Sequence, residues 1–310
     1  MTAPVIAAVV IAVLLLIAIV LLVIELRRTP GGGRARASAG PAVTGAVALD
    51  EVDRALRVLV TACDRAGRDF PDVYAVECAA DRVTLRLAAY EPEAPPPWEG
   101  DGDGTAWTLP RAGRQTGGQI PADSHPYPLV VSLGLHEDRR VLVNLARAAG
   151  PVSLAGPAPQ VGRLTLRLLT ELLTGPVGRD AEITLTGDVA AGFRAHLAGA
   201  RPERLRLAAT LAEAQRGGRE QPAARTGATQ IFQLLDDGRA AAEPDQPRRL
   251  AVIGADQFRA ESSGQTAPAG GAVLVLGEVD HAAWRLEVRA DGGLDTGALG
   301  LPVDSTGGLR

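Results

Sequence analysis

The residues best spaced for chemistry are Gly156, Gly162 and Arg163, which lie between a short apolar run, Val152–Leu154, and a leucine-rich helical pattern. A strand, a glycine-containing loop and a helix can cradle phosphate, because backbone N–H groups and the helix dipole favour anions there. The working pattern is G-x-x-x-x-G-K-[ST], in which the lysine reaches the β- and γ-phosphates and the hydroxyl holds Mg2+. Here five residues separate the two glycines, and Arg163 and Leu164 stand where lysine and serine or threonine belong. Pro157 and Pro159 each remove a backbone donor. The segment 156–162 therefore reads as an ordinary βα turn or a degenerate phosphate loop. Phosphate binding without hydrolysis, with Arg163 as the cation, is the alternative.

Other candidates are less complete. Asp256 follows the apolar run Leu250–Ile253 and faintly suggests a Mg2+-directing carboxylate, but Gly254-Ala255 intervenes. Asp188, after Glu182–Thr186, fits better as the N-cap of the next helix. The acidic stretch Glu99–Gly104 lacks the third ligand pair and the terminal Glu of an EF-hand and reads as a turn. Ser153 has Pro151 where G-x-S-x-G needs its first glycine. His125, His136, His196 and His281 show no zinc spacing with each other or with Cys63 and Cys78. Both cysteines fall on apolar faces and read as core thiols. No catalytic residue, metal or cofactor is expected.

The elements that must position these residues follow from periodicity. Val52, Leu56, Leu59 and Cys63 recur at helical spacing, so a helix opens at Leu49 or Asp50 and ends near Gly67. Asp72–Ala79 and Arg82–Ala89 alternate around Ala80-Asp81 as a hairpin, and Pro128–Leu135 and Arg140–Leu145 form another around His136–Asp138. Residues 91–104 read as loop. From Val152 onward strands and helices alternate: the Leu164–Leu173 helix, strand Glu182–Thr186, helix Val189–Leu197, strand Leu205–Leu207 and a short helix at Leu211–Gln215. Ile231–Leu235 lies in a helix. Arg249–Ile253, Ala272–Leu276 and Trp284–Val288 are strands, and a hairpin closes at Leu299–Val303. This predicts an α/β fold, a mixed sheet with βαβ units and antiparallel hairpins. Insertions are expected near 216–227 and 260–270.

The N-terminal run, Ala3–Ile24, has no charged or polar side chain. As a helix it would span roughly 33 Å, enough for a hydrocarbon core of about 30 Å. No basic residue precedes it, and Arg27, Arg28, Arg34 and Arg36 follow it. It is too long for a signal-peptide core, so residues 3–26 are expected to be an uncleaved transmembrane helix in contact with the lipid bilayer. The positive-inside rule places the N-terminus outside. Residues 27–46, rich in Gly, Pro and Ala, read as a flexible linker, and 47–310 as a cytoplasmic domain. All 32 basic residues are arginine and the net charge is −4. Dispersed, near-neutral charge argues against nucleic acid as a partner.

Several segments together resemble the central domain of single-pass membrane proteins of high-GC Gram-positive bacteria. Those proteins often join it to a LysM segment and a bacterial transcriptional activator domain. The matching segments are helix 51–67 leading into Pro71–Val76, Pro97-Trp98 through Asp103 to Trp107–Pro110, and Tyr127–Gly134. Val141–Leu145, Val152–Gly156 and Trp284–Val288 with Asp291-Gly292 complete them. This chain is read as carrying neither flanking domain. The central strand–loop–helix resembles a worn P-loop core of membrane-anchored DNA-pumping or secretion ATPases, and lacks their lysine. The functional expectation is a non-catalytic interaction or scaffold domain with a protein partner of unspecified identity. A nucleotide- or phosphate-sensing regulator built on the degenerate P-loop is the alternative.

Topology is directly testable. Protease added to intact spheroplasts should spare the large domain, and after lysis should cut first in 29–46 and 216–227. Degradation in intact spheroplasts would reverse the orientation.

Overall fold

Alternation along the first half and continuous apolar runs along the second build two different sheets. The computed structural model describes residues 45–116, 126–197, 202–216, 249–262 and 271–306. The expected span 3–26, most of the linker and the expected helix Ile231–Leu235 lie outside them, as does most of each expected insertion. Among the described residues no helix is long and apolar enough to cross a membrane. Both sheets belong to one unit, Ala42–Arg310.

Helix α1 (Gly45–Ala66) opens a few residues before the expected start and takes in the end of the linker. Sheet A follows, with β1 (Val73–Cys78), β2 (Arg82–Leu87), β3 (Glu99–Gly100), β4 (Ala106–Pro110), β5 (Val130–His136) and β6 (Arg139–Asn144). Its order is β3-β4-β2-β1-β6-β5, and every pairing is antiparallel. Both expected hairpins are present. Strand β3 corrects the reading of 91–104 as loop throughout, and β4, just beyond it, is a strand the sequence did not announce. β2 shows why one face is covered: Val83, Leu85 and Leu87 are buried and alternate with Arg82, Thr84 and Arg86. The buried set joins Leu56, Leu59 and Cys63 of α1 in one core.

Sheet B contains β7 (Val152–Ala155), β8 (Glu182–Thr186), β9 (Leu205–Ala208), β10 (Arg249–Gly254), β11 (Ala272–Leu276), β12 (Trp284–Val288) and β13 (Leu294–Asp295). Helices α2 (Ala158–Thr174), α3 (Gly187–Leu197), α4 (Leu211–Arg216) and α5 (Ala255–Glu261) are interleaved with them. The order is β13-β12-β7-β11-β10-β8-β9, parallel except for the β12–β13 pair. Strands buried on both faces need apolar residues in succession, as Ala272–Leu276 has. The fold is therefore mixed α/β, with hairpins and βαβ units segregated into two sheets rather than combined in one.

The leucines of α2 fill the space between the sheets. Leu164, Leu168, Leu172 and Leu173 share a core with Val131, Leu133 and Val143 of sheet A and with Leu154, Ile183 and Val252 of sheet B. On the far face of sheet B, Leu211 of α4 and Ala255 of α5 cover Ile253, Val273 and Val275. Helix α2 ends where Arg204 donates to the carbonyls of Leu173, Gly178 and Arg179, which have no helical partners of their own.

The seam between the sheets is polar at one point. Strand β5 is an edge of sheet A and bulges between Ser132 and Gly134. From α2, Glu171 accepts the Ser132 N–H at 3.1 Å, and Arg167 donates to the Ser132 and Leu133 carbonyls at 3.0 and 2.8 Å. Arg140 of β6, nearly sealed from solvent, reaches both the Ser132 hydroxyl at 2.8 Å and Glu171 at 3.3 Å. Burial pulls Arg167 down to about 10, so it stays charged at neutral pH. Removing the one carboxylate leaves two buried guanidinium groups facing each other. Glu171→Ala should cost about 3–5 kcal/mol in urea unfolding, and the double variant with Arg167→Ala should lose less than the sum of the two single losses.

Candidate functional site

In an open parallel sheet, ligands bind outside the carboxyl ends of the strands, where the chain's direction of travel across the sheet reverses. In sheet B this point is β7: the chain leaves it for β8 on one side and later places β12 on the other. Gly156 sits at that end, as the sequence suggested. Its φ is 128°, and a Cβ there would run into the Val288 carbonyl at the end of β12. The backbone of β12 therefore occupies the space that a phosphate loop would leave open. A carbonyl oxygen also points its negative end toward any anion that approached.

The turn itself is short. Helix α2 begins at Ala158, with Pro157 at its N-cap, so only Gly156 and Pro157 separate strand from helix. This corrects the reading of 156–162 as a loop. The prolines are the reason: a fixed φ near −65° suits the first turn, where the missing N–H costs nothing. Gly162 and Arg163 are consequently on the helix, past its first turn. Gly162 has open space where a side chain would be, and Arg163 is exposed. The structure thus does not gather the three candidates around one point. Of the first-turn donors, Gln160 and Val161 bond to the Pro157 carbonyl at 2.9 and 3.1 Å, and Pro159 has none. Ala158 supplies the remaining N–H.

The neighbouring strand ends are closed in the same way. The Ser153 hydroxyl donates to the Gly277 carbonyl at 2.8 Å, so it is committed to holding β7 and β11 together. At Gly277, whose φ is 118°, a Cβ would lie 2.8 Å from the Ala255 methyl. Asp188 lies inside the first turn of α3 rather than at its cap, and Asp256 inside that of α5. Asp256 is 97% exposed and pairs with Arg259 at 2.7 Å. Both carboxylates complement a helix dipole.

The acidic stretch closes on itself. Asp101 accepts the Thr105 N–H and hydroxyl at 3.1 and 2.7 Å, and the hydroxyl bond holds its carboxyl below the usual range. Among the described residues no cluster of three His, Cys, Asp or Glu is placed to hold a metal. Cys63 and Cys78 are both buried thiols, and burial pushes the Cys63 thiol up to about 11. The residues that sequence reasoning missed are Ser132, Arg140, Arg167 and Glu171. Their one sequence signal is a Glu four residues after an Arg, set among leucines at 168, 169, 172 and 173.

No family model matches the chain, and no curated protein matches it in sequence. Among solved structures it is similar to the monomer form of the pCW3 conjugation coupling protein TcpA with ATPγS. The identity is 10% and the TM-score 0.32, over 76% of this chain and 83% of that one. A likeness of that size assigns neither fold nor ligand.

The two glycines make opposite predictions. Gly162→Ala should stabilise the domain by about 0.5–1 kcal/mol, as for any open position inside a helix. Gly156→Ala should destabilise it by about 1–3 kcal/mol, through positive φ and the clash with Val288. Thermal unfolding of the two variants checks both, and a loss at Gly162 would argue that it serves a loop.

Proposed function

We propose that residues 47–310 are a non-catalytic interaction domain, held at the cytoplasmic face of the plasma membrane by residues 3–26. The observation that supports it is the two-residue turn after β7, packed against the Val288 carbonyl and followed by a proline-opened first turn. Phosphoryl chemistry needs a cradle of converging donors with a cation at its lip. Here the Gln160 and Val161 donors are consumed within the helix, Pro159 has none, and Arg163 lies beyond the first turn. The apolar N-terminal run and the arginines behind it support the anchor and its orientation. The strand edges then become the surfaces available for a partner.

Purified 45–310 should neither hydrolyse ATP or GTP with Mg2+ nor shift its melting temperature at millimolar nucleotide. Turnover lost on Arg163→Ala would overturn the proposal. A melting shift lost on Arg163→Ala, without turnover, would instead favour a nucleotide-responsive regulator.

A further inference from the structure

Residues 301–306 form no element of their own, yet they lie as a strand between the edges of both sheets. Their exposure alternates: Leu301 and Val303 are buried, Pro302 and Asp304 exposed. Val303 bridges to Leu294 of β13, and Ser305 bridges to Leu135 of β5. The Leu135 N–H donates to the Ser305 carbonyl at 2.9 Å, and the Leu135 carbonyl accepts from Asp304 at 2.9 Å. Leu294 donates to the Val303 carbonyl at 3.1 Å, and Thr306 donates to the Gly292 carbonyl at 2.7 Å. Arg167 donates to the Thr306 carbonyl.

The side chains are read as specifically as the backbone. Gly134 leaves a notch, since a Cβ there would run into the Ser305 carbonyl and lie 2.6 Å from Val303 Cγ1. The Asp304 carboxylate sits against His136 Nδ1 at 2.9 Å and accepts the Glu137 N–H at 3.1 Å. The seat therefore selects an extended segment with a buried aliphatic residue and a carboxylate next to it. The groups that make it belong to β5 and the turn after it, to β13, Thr296 and the turn at Gly292, and to α2.

We propose that this seat is a strand-acceptor site, closed in cis by residues 301–306 and opened when an extended segment of a partner protein, with an aliphatic residue followed by an acidic one, takes their place. Edge pairing of this kind draws affinity from main-chain bonds and specificity from alternate side chains. The proposal rests on the interaction reading above and names the surface and the partner's chemistry. It also gives β5 a purpose beyond packing: its edge is covered by a segment that belongs to no named strand of either sheet and is anchored through Leu301 and Val303 in the core around α2.

The test uses a fluorescein-labelled peptide of Leu299–Thr306 sequence and the full chain. A Val303→Ala, Asp304→Ala variant weakens the cis segment and should bind the peptide at least about tenfold more tightly than the unaltered chain, where the tethered segment competes at high effective concentration. Adding Gly134→Ala should abolish that binding, and a peptide with lysine in place of the aspartate should not bind. No binding by the folded double variant overturns the proposal. Hydrogen exchange on the unaltered chain is the second measurement. Amides of Leu135, Asp304 and Thr306 should exchange by local opening, faster than those of β1 and β10, and exchange only with global unfolding overturns it. Concentration-dependent dimerisation lost on Asp304→Lys would assign the seat to a second copy and overturn the partner assignment. Nucleotide hydrolysis is scored separately, so failure here leaves the reading of the β7 turn untouched.

Discussion

A strand at the edge of a sheet presents backbone groups that need partners, and β5 is such an edge in the middle of this protein. Residues 301–306 pair with it at Leu135, and at Ser132 and Leu133 the partner is a charged cluster in place of a strand. Glu171 takes the N–H at the bulge, Arg167 takes the carbonyls, and Arg140 returns charge to Glu171 from the same sheet. Because Glu171 and Arg167 stand on α2, the helix that follows β7, this cluster ties the antiparallel sheet to the parallel one. An apolar contact would tolerate sliding along the seam. Directional bonds to a bulged strand do not, so they set the register between two sheets that have separate hydrogen-bond systems.

The same helix explains why the most suggestive motif is not a phosphate cradle in this fold. Helix α2 has to start immediately after β7 to bring Arg167 and Glu171 level with the bulge and its leucines between the sheets. A long glycine loop at that point would delay the helix. Pro157 and Pro159 start it early, and Gly156 allows the turn to press on β12. The glycines at the strand ends thus serve close packing. Backbone approach to a phosphate and backbone approach to another strand demand the same residue, which is why the motif alone was ambiguous.

Much of the architecture was legible beforehand. The 3.6-residue recurrence of Val52, Leu56, Leu59 and Cys63, the alternation in β2 and the unbroken apolar runs of β10 and β11 each follow from which faces are buried. Pro157 and Pro159 sit in a Gly/Pro-rich stretch that reads as a turn lacking two backbone donors. Their tolerance in the first turn was the competing rule that won. Strand β4 was hidden because Trp107 and Leu109 are too few to show a period, and its pairing with β2 supplies the evidence that the local sequence lacks.

Local patterning by itself determined the α/β character, the hairpins, the strand–helix alternation, the core thiols and the departures from a working P-loop. Each depends on residues near in sequence or on a motif being present or absent. Tertiary structure alone decided that there are two sheets, that β7 lies between β11 and β12, and that Val288 fills the space at Gly156. It also decided that Leu135 and Ser305, far apart along the chain, pair across the seam. Those facts rest on contacts between distant segments. A backbone carbonyl or an edge N–H has no side chain to announce its partner, so no reading of residue types can find it.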